Sequence, residues 1–191
     1  MRLSNQSGGN AEYVTLSNGV FTLDSQKGET FNTLEICVDH FSVYVNSVKG
    51  YEKMAGWTVV LEGPIPDADK DAPQRVQLKF GVFTPKNEYT VAFKTFCKFA
   101  ANLEPGTFYT VKTWGVGDNP KQLGSMFHIE DLEVIGSATE VAEMLDAVDA
   151  TGIYGIFNEF FKDAPAYKPA ESIGLNITFP EIEQQANNKK R

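Results

Sequence analysis

A long β-rich run at residues 31–45 constrains the fold of this chain more than any other stretch of its 191 residues. Apolar and polar residues alternate along it, and the apolar positions change from even to odd numbers midway: Leu34, Ile36, Val38, Phe41, Val43 and Val45. Alternation at period two predicts a strand with one buried face. The change of phase after Asp39 predicts a bulge or a sharp coil. A long first strand that bends in this way is what a small closed β-barrel requires.

Further strands and one helix follow this run. The predicted strands are Trp57–Leu61, Gln74–Phe83, Phe108–Gly115 and Phe127–Ile135, and a helix capped by Asn87 is predicted to run to about Asn102. The order is therefore three strands, one helix and two strands. It predicts a mainly β fold, a five-stranded OB-fold barrel with the helix between strands 3 and 4.

The segments on either side of this core have their own patterns. Residues 1–27 form a polar lead and a possible hairpin, since Asn18-Gly19 is a hairpin turn signal between two β-like runs. Residues 28–137 form the predicted OB-fold core. Residues 138–191 form a helical acidic C-terminal extension with a polar tail, and its two helices are predicted at Thr139–Ala150 and Ile153–Phe161.

The net charge of −8 disfavours nonspecific binding of duplex DNA by the chain as a whole. The charge is unevenly distributed, however. Residues 49–121 carry ten basic and eight acidic groups, whereas residues 122–188 carry two basic and twelve acidic groups. The middle of the chain is thus the part with a basic balance, and it also contains both tryptophans.

Signals of an enzyme are weak. His40 and His128 lie singly in two predicted strands, and no Cys/His cluster has the spacing of metal ligands. No phosphate-binding P-loop motif follows the glycines. We therefore expect a protein that is not an enzyme and that holds no metal and no cofactor. Cys37 and Cys97 are expected to be reduced core residues, and no apolar run is long enough for a membrane span.

Signals of nucleic-acid binding are stronger. A protein that holds single strands needs aromatic platforms for the bases and cations for the phosphates. An OB-fold presents them on strands 2 and 3 and on the loops between strands 1 and 2 and between strands 4 and 5. Aromatic and basic residues at those positions are the predicted DNA-binding residues: Lys49, Tyr51, Lys53, Trp57, Arg75, Lys79, Phe83, Lys112, Trp114 and Lys121. In the alternative interpretation, Trp57 and Phe83 plug the ends of the barrel and the lysines are ordinary solvated residues.

Three segments carry a resemblance to a known family: VDHFSVYVNSVKGYEKMAGWTVVLEG, EYTVAFKTFCKF and MFHIEDLEVIG. Together they resemble bacteriophage single-stranded DNA-binding proteins of OB-fold type, over roughly residues 28–136. The resemblance implies a protein of the host cytoplasm that coats single-stranded DNA in phage DNA replication or recombination. Other phage replication or recombination proteins and further copies of the chain are the expected partners. The acidic region departs from the family pattern, since it is largely helical and the last three residues are basic.

A second class of function remains open at this point. A structural or protein-interaction β-barrel protein of a virion would share the same β-rich pattern. Salt-dependent binding of oligo-dT separates the two hypotheses, because only the first requires it.

Overall fold

The computed structural model of the protein describes residues 11–25, 28–45, 56–65, 71 and 73–169. These residues form the strands β1 (Ala11–Ser17), β2 (Val20–Leu23), β3 (Thr30–Phe31), β4 (Thr33–Cys37), β5 (His40–Val45), β6 (Trp57–Pro64), β7 (Arg75–Gly81), β8 (Phe108–Val116) and β9 (Gly124–Ile129). The helices are α1 (Val91–Ala100), α2 (Ala138–Asp146) and α3 (Gly152–Phe161).

These strands form two sheets. The six-stranded sheet has the order β3-β2-β1-β7-β6-β5, and the three-stranded sheet has the order β4-β8-β9. Neighbouring strands are antiparallel except β1 and β7, which are parallel. The prediction of a mainly β fold is confirmed. The predicted barrel is not closed by the described strands, because the N-terminal hairpin pairs with β7 at the edge where a five-stranded barrel would close.

The long run of residues 31–45 contributes to both sheets, because it bends between β4 and β5. β4 pairs with β8, whereas β5 pairs with β6. At the bend, the Asp39 N–H donates a hydrogen bond to the Glu62 carbonyl at 2.8 Å. A Cβ at Gly63 would lie 1.5 Å from the Cys37 carbonyl oxygen, so only glycine permits this close crossing. The predicted change of phase is confirmed, since Ile36 and Val38 before the bend and Phe41 after it are all buried.

The predicted N-terminal hairpin is also confirmed. Asn18 and Gly19 form its turn with φ values of 52° and 76°, as a type I′ turn requires. The Gly19 N–H donates a hydrogen bond to Ser125 Oγ at 2.9 Å, and this contact fixes the turn against β9. A Cβ at Gly19 would lie 2.1 Å from the Gly115 nitrogen. The hairpin therefore joins the two sheets through a contact between glycine backbones.

Helix α1 begins later than predicted. The prediction that Asn87 caps it is wrong, because Asn87 lies in a turn with φ 62° and the Thr90 side chain accepts the capping bond from the Phe93 N–H at 3.1 Å. The residues between them continue the β structure, since Tyr89 forms a bridge with Phe83. The β propensity of this segment thus delays the helix. Phe93, Phe96 and Ala100, which recur at helical spacing, are buried.

The chain turns away from the sheet earlier than predicted after β9. This strand ends at Ile129, and Asp131 adopts a φ of 62° in the turn that follows. Helix α2 begins with a capping box in which the side chains of Ser137 and Glu140 each accept a hydrogen bond from the other's backbone N–H. Both C-terminal helices are present close to their predicted bounds.

The two C-terminal helices belong to the same hydrophobic core as the sheets. Val141 and Leu145 of α2 are fully buried, and Phe157 and Phe161 of α3 are equally inaccessible. Phe161 contacts Phe41 of β5, with ring centroids 5.3 Å apart. Residues 138–161 are therefore part of one packed unit with the core predicted for residues 28–137.

The two cysteines are free and buried, as predicted. Burial raises the pKa of the Cys97 thiol well above its ordinary value. The thiol is therefore a neutral core group rather than a reactive one.

Candidate functional site

Three of the predicted DNA-binding residues, Lys49, Tyr51 and Lys53, lie outside the described residues. Of the other seven, Trp57 is buried in the core. The remaining six lie at four places: the outer face of the six-stranded sheet, a cleft near the start of α1, one face of β8, and the loop between β8 and β9. The predicted residues are therefore not gathered on one continuous surface.

Arg75 and Lys79 lie on the outer face of the six-stranded sheet, as predicted, but both cations form ion pairs with carboxylates. Arg75 pairs with Asp39 at 2.7 Å and with Glu62 at 3.0 Å, and Lys79 pairs with Asp24 at 3.2 Å. The hydrogen bond that Arg75 donates to Asp39 is the main cause that raises the pKa of Arg75, and Glu62 adds to it. Three carboxylates thus surround these two cations and compete with any phosphate for them. The surface is therefore a poor one for phosphates.

Trp57 is buried, with only 1% of its surface exposed. Its ring packs edge-on against Tyr154 of α3, with centroids 4.6 Å apart, and against Phe157 at 5.6 Å. The prediction that Trp57 stacks on bases is therefore wrong for this conformation, because α3 covers its ring. Its position agrees with the alternative interpretation, in which Trp57 fills space in the core and does not bind DNA.

Phe83 lies just after the end of β7 rather than on the strand. Its ring stacks on Tyr89, with centroids 5.1 Å apart and an angle of 26° between the planes. Both rings line a cleft at the start of α1. Burial raises the pKa of Tyr89 to about 12, and the charges of Asp146 and Cys97 add to the shift. Phe83 is thus neither a barrel plug nor part of the outer face of β7.

The outer face of β8 carries two exposed aromatic rings. Phe108 is 45% exposed and Trp114 is 46% exposed, and their even numbers place them on one face of the strand with Lys112 between them. Lys112 pairs with Glu130 at 2.6 Å but keeps more than half of its side-chain surface in solvent. His128, opposite Lys112 on β9, is exposed on the same face. The prediction that Lys112 and Trp114 share a face of this strand is confirmed.

Two further lysines lie beside this sheet on α1. The helix runs along β9, where the Thr95 hydroxyl donates a hydrogen bond to Met126 Sδ at 3.2 Å. Lys94 and Lys98 are one helical turn apart and partly exposed. Neither forms an ion pair with another residue of the described ranges. Both cations are thus open to an anionic ligand.

Lys121 lies on the exposed loop between β8 and β9, as predicted. Its N–H donates a hydrogen bond to Asn119 Oδ1 at 3.0 Å, and two residues later the Leu123 N–H donates to Asn18 Oδ1 at 3.2 Å. The second bond ties the loop to the N-terminal hairpin. Lys121 is consequently presented from a loop that is anchored on one side.

The sequence prediction omitted several residues that form these surfaces. Phe108 carries the same strand parity as Lys112 and Trp114, so alternation along FYTVKTW was sufficient to include it. Lys94 and Lys98 follow helical spacing beside a strand that the sequence did not identify as a neighbour. Lys86 lies near Phe83 in the turn before α1, and no sequence pattern marks it.

Groups suited to catalysis or to metal binding are scarce in the described part of the chain. His40 Nε2 lies 3.4 Å from Glu62 Oε2, beside the Arg75 pairs, on the outer face of the six-stranded sheet. No group of three or more His, Cys, Asp or Glu side chains within the described ranges is arranged to hold a metal ion. Among the same residues, no helix has the length and apolar character of a membrane span.

Comparisons with protein-family models, with curated proteins and with solved structures find no match to this chain.

Proposed function

We propose that the protein binds single-stranded DNA with little sequence preference, through the sheet surface formed by Phe108, Lys112 and Trp114. The observation that carries this proposal is the exposure of two large aromatic rings on one face of β8 with a cation between them. Phe108 and Trp114 are six residues apart, which corresponds to about 20 Å along a strand. Bases of an extended strand stack at the two ends of this span.

Stacking provides affinity without sequence preference, because every base has a flat face. Each base that stacks on an aromatic side chain contributes roughly 1–3 kcal/mol to binding. A duplex hides those faces, so the same rings offer little to double-stranded DNA. The exposed positions of Phe108 and Trp114 suit this role, since almost half of each side chain is accessible to a ligand.

The distribution of cations favours this surface over the six-stranded sheet. Lys94 and Lys98 lie along its edge on α1, and Lys121 extends from the loop at one end of β8 and β9. Arg75 and Lys79, like Lys112, already have carboxylate partners. A phosphate therefore finds open cations beside β9 and occupied ones on β7. Because the chain as a whole carries a net charge of −8, binding of phosphates requires cations that are grouped locally in this way.

The strand order supports an OB-fold, which is part of the same proposal. Across both sheets the strands run β9, β8, the bent pair β4 and β5, β6 and β7, with α1 between β7 and β8 in the chain. A bent first strand shared by two sheets, with a helix before the fourth strand, is the arrangement of a partly open Greek-key barrel. In this interpretation the N-terminal hairpin is an addition at the edge of the third strand.

The resemblance to phage single-stranded DNA-binding proteins supplies the biological setting. On that basis we place the protein in phage DNA replication or recombination, in the host cytoplasm, with other phage replication proteins and further copies of itself as partners. A virion component is the competing proposal, and it predicts no affinity for oligonucleotides.

The test is a titration of fluorescently labelled oligo-dT and of a blunt duplex at several salt concentrations. We expect oligo-dT to bind and the duplex to bind weakly, with log Kd changing linearly with log salt by about 0.7 per phosphate neutralised. Trp114→Ala should weaken oligo-dT binding by roughly 1–3 kcal/mol, because one stacking platform is lost. Tryptophan fluorescence of the unmodified protein should be quenched by the strand.

Met144→Ala is the matched control, because Met144 is a large apolar side chain with similar exposure, 49%, on a different surface. This variant should bind as the unmodified protein does. Equal affinity for duplex and single strand, or equal losses in the two variants, would refute the proposed surface.

A further inference from the structure

The cleft beside Phe83 is a large cavity that the proposed sheet surface leaves unexplained. Its volume is about 720 Å³. Pockets for small ligands typically measure roughly 300–1,000 Å³. The cleft lies where four segments meet: the turn of the N-terminal hairpin, the end of β7, the start of α1 and the end of the loop before β9. It therefore has the size of a ligand site and walls from separate parts of the chain.

One wall is an aromatic pair. Phe83 and Tyr89 stack on each other, and Tyr89 also packs against Phe93 of the core, with ring centroids 5.6 Å apart. The backbone bridge between Phe83 and Tyr89 fixes their relative positions. Both side chains are only half-buried. This wall is a preformed flat platform that reaches solvent through the cleft.

The rim of the cleft is positively charged. Lys86 and Lys94 line it, and Glu88 is the one acidic residue among its described lining. Neither lysine forms an ion pair with any residue in the described ranges. A platform for a flat ring next to two open cations fits a ligand that combines a ring with an anion. A nucleotide has that composition, since its base and its phosphate are joined by a sugar.

The opposite wall connects the cleft to the proposed DNA surface. It includes Leu123 and Gly124, where β9 begins. Two hydrogen bonds between this wall and the N-terminal hairpin hold it in place, one from the Leu123 N–H to Asn18 Oδ1 and one from the Gly19 N–H to Ser125 Oγ. Met126, two residues beyond Gly124, lies opposite Trp114 on β8. Two residues span about 7 Å of a strand. A nucleic-acid strand that stacks on Trp114 thus ends beside the opening of the cleft.

We infer that the cleft receives one nucleotide of the bound strand, with its base against Phe83 and Tyr89 and its phosphate on Lys86 and Lys94. The inference rests on the proposed function and adds a second contact point to it. A free nucleotide offers the same chemistry, so the experiment separates a nucleotide within a strand from a free one.

The experiment compares oligo-dT binding by the unmodified protein and by the double variant Lys86→Gln, Lys94→Gln. We expect the double variant to bind about tenfold more weakly at low salt, and the log–log salt dependence to fall by about 1.4, since two phosphate contacts are lost. Lys168→Gln is the matched control, because Lys168 is an exposed lysine beside β5 that does not line the cleft. It should leave both quantities unchanged. Quenching of Trp114 at saturating oligo-dT should persist in the double variant.

Three results would overturn the inference. If the double variant keeps the affinity and salt dependence of the unmodified protein while Trp114→Ala loses affinity, the cleft is not used and the proposed function stands. If dTMP shifts the amide resonances of residues 83–94 while the double variant binds oligo-dT normally, the cleft is a site for free nucleotides. If the unmodified protein does not bind oligo-dT, the proposed function fails, and this inference fails with it.

Discussion

Tyr89 is a titratable residue whose pKa is shifted by both burial and neighbouring charge. Burial raises the pKa of its phenol to about 12, and the charges of Asp146 and Cys97 act in the same direction. In the unfolded chain a tyrosine titrates near pH 10, about two units lower. The unfolded state therefore loses its proton first as the pH rises. The free energy of unfolding should fall between about pH 10 and pH 12 because of this group.

Tyr89→Phe should remove that part of the alkaline loss. Urea unfolding curves at pH 9 and at pH 11, followed by circular dichroism, provide the measurement. We expect the free energy of unfolding to drop less in the variant than in the unmodified protein, since phenylalanine has no proton to lose. Equal drops in the two proteins would mean that the phenol of Tyr89 is more accessible to solvent than its position indicates.

The two tryptophans show how far sequence patterns predict single residues. Alternation along β8 placed Lys112 and Trp114 on the solvent side correctly, because strand parity is a local property. Trp57 is the first residue of β6, and Tyr154 and Phe157 of α3 cover it. Nothing near Trp57 in the sequence specifies that helix as a neighbour. The exposure of an aromatic residue is decided by such distant partners.

The charges of Arg75 and Lys79 illustrate the same limit. Their solvent-facing parity was predictable, but their carboxylate partners lie on other elements: Asp39 in the bend before β5 and Asp24 after β2. Whether a cation is free to bind a phosphate thus depends on tertiary contacts. The basic balance of residues 49–121 counted Arg75 and Lys79 without Asp39 and Asp24, which lie outside that range.

For strands, helices and turns, local sequence signals predicted which elements form better than they predicted which elements pair with each other. The Asn18-Gly19 turn and the change of phase after Asp39 were both predictable, because turn chemistry and strand parity are properties of neighbouring residues. The parallel pairing of β1 with β7 was not, since those strands are far apart in the chain and no short pattern encodes their register. That pairing is also the reason that a simple five-stranded barrel does not describe the sheets.

The glycine contact between the hairpin and β8 provides a test of this placement. Gly19→Ala should destabilise the protein more than Gly28→Ala. Both glycines have a positive φ, 76° and 100°, so both alanines bear a left-handed backbone cost of roughly 1–2 kcal/mol. Only at position 19 does the added methyl group also meet backbone atoms, at 2.1 Å from the Gly115 nitrogen. A Cβ at Gly28 meets nothing within 4 Å.

Urea unfolding of the two variants measures the difference, and overpacking of this kind typically adds about 1–3 kcal/mol. If both alanines reduced the free energy of unfolding by the same amount, the hairpin would not approach β8 as closely as described. The comparison isolates the tertiary contact because the backbone cost is common to both variants.

In the whole molecule, the sheets and the C-terminal helices share one hydrophobic core, which extends across the boundary predicted at residue 137. Phe157 packs on Trp57 and Phe161 packs on Phe41, so α3 completes the packing of both β5 and β6. The segment after α3 continues along β5, where the Phe41 N–H donates a hydrogen bond to the Ala166 carbonyl at 2.8 Å. The acidic C-terminal region up to residue 169 is thereby part of the folded unit, although composition alone suggested an appendage.

Such packing predicts that the C-terminal helices and the sheets unfold together, because neither retains a complete core without the other. The chain has two tryptophans, so Trp114→Phe leaves Trp57 as the sole tryptophan, in contact with α3 and excited selectively at long wavelength. In a urea titration of this variant, the red shift of Trp57 fluorescence and the loss of far-UV circular dichroism should have the same midpoint and the same slope. A red shift at clearly lower urea would show that α3 detaches first, as expected if residues 138–191 formed a separate extension. Coincident curves would instead show that the burial of Trp57 lasts as long as the fold itself.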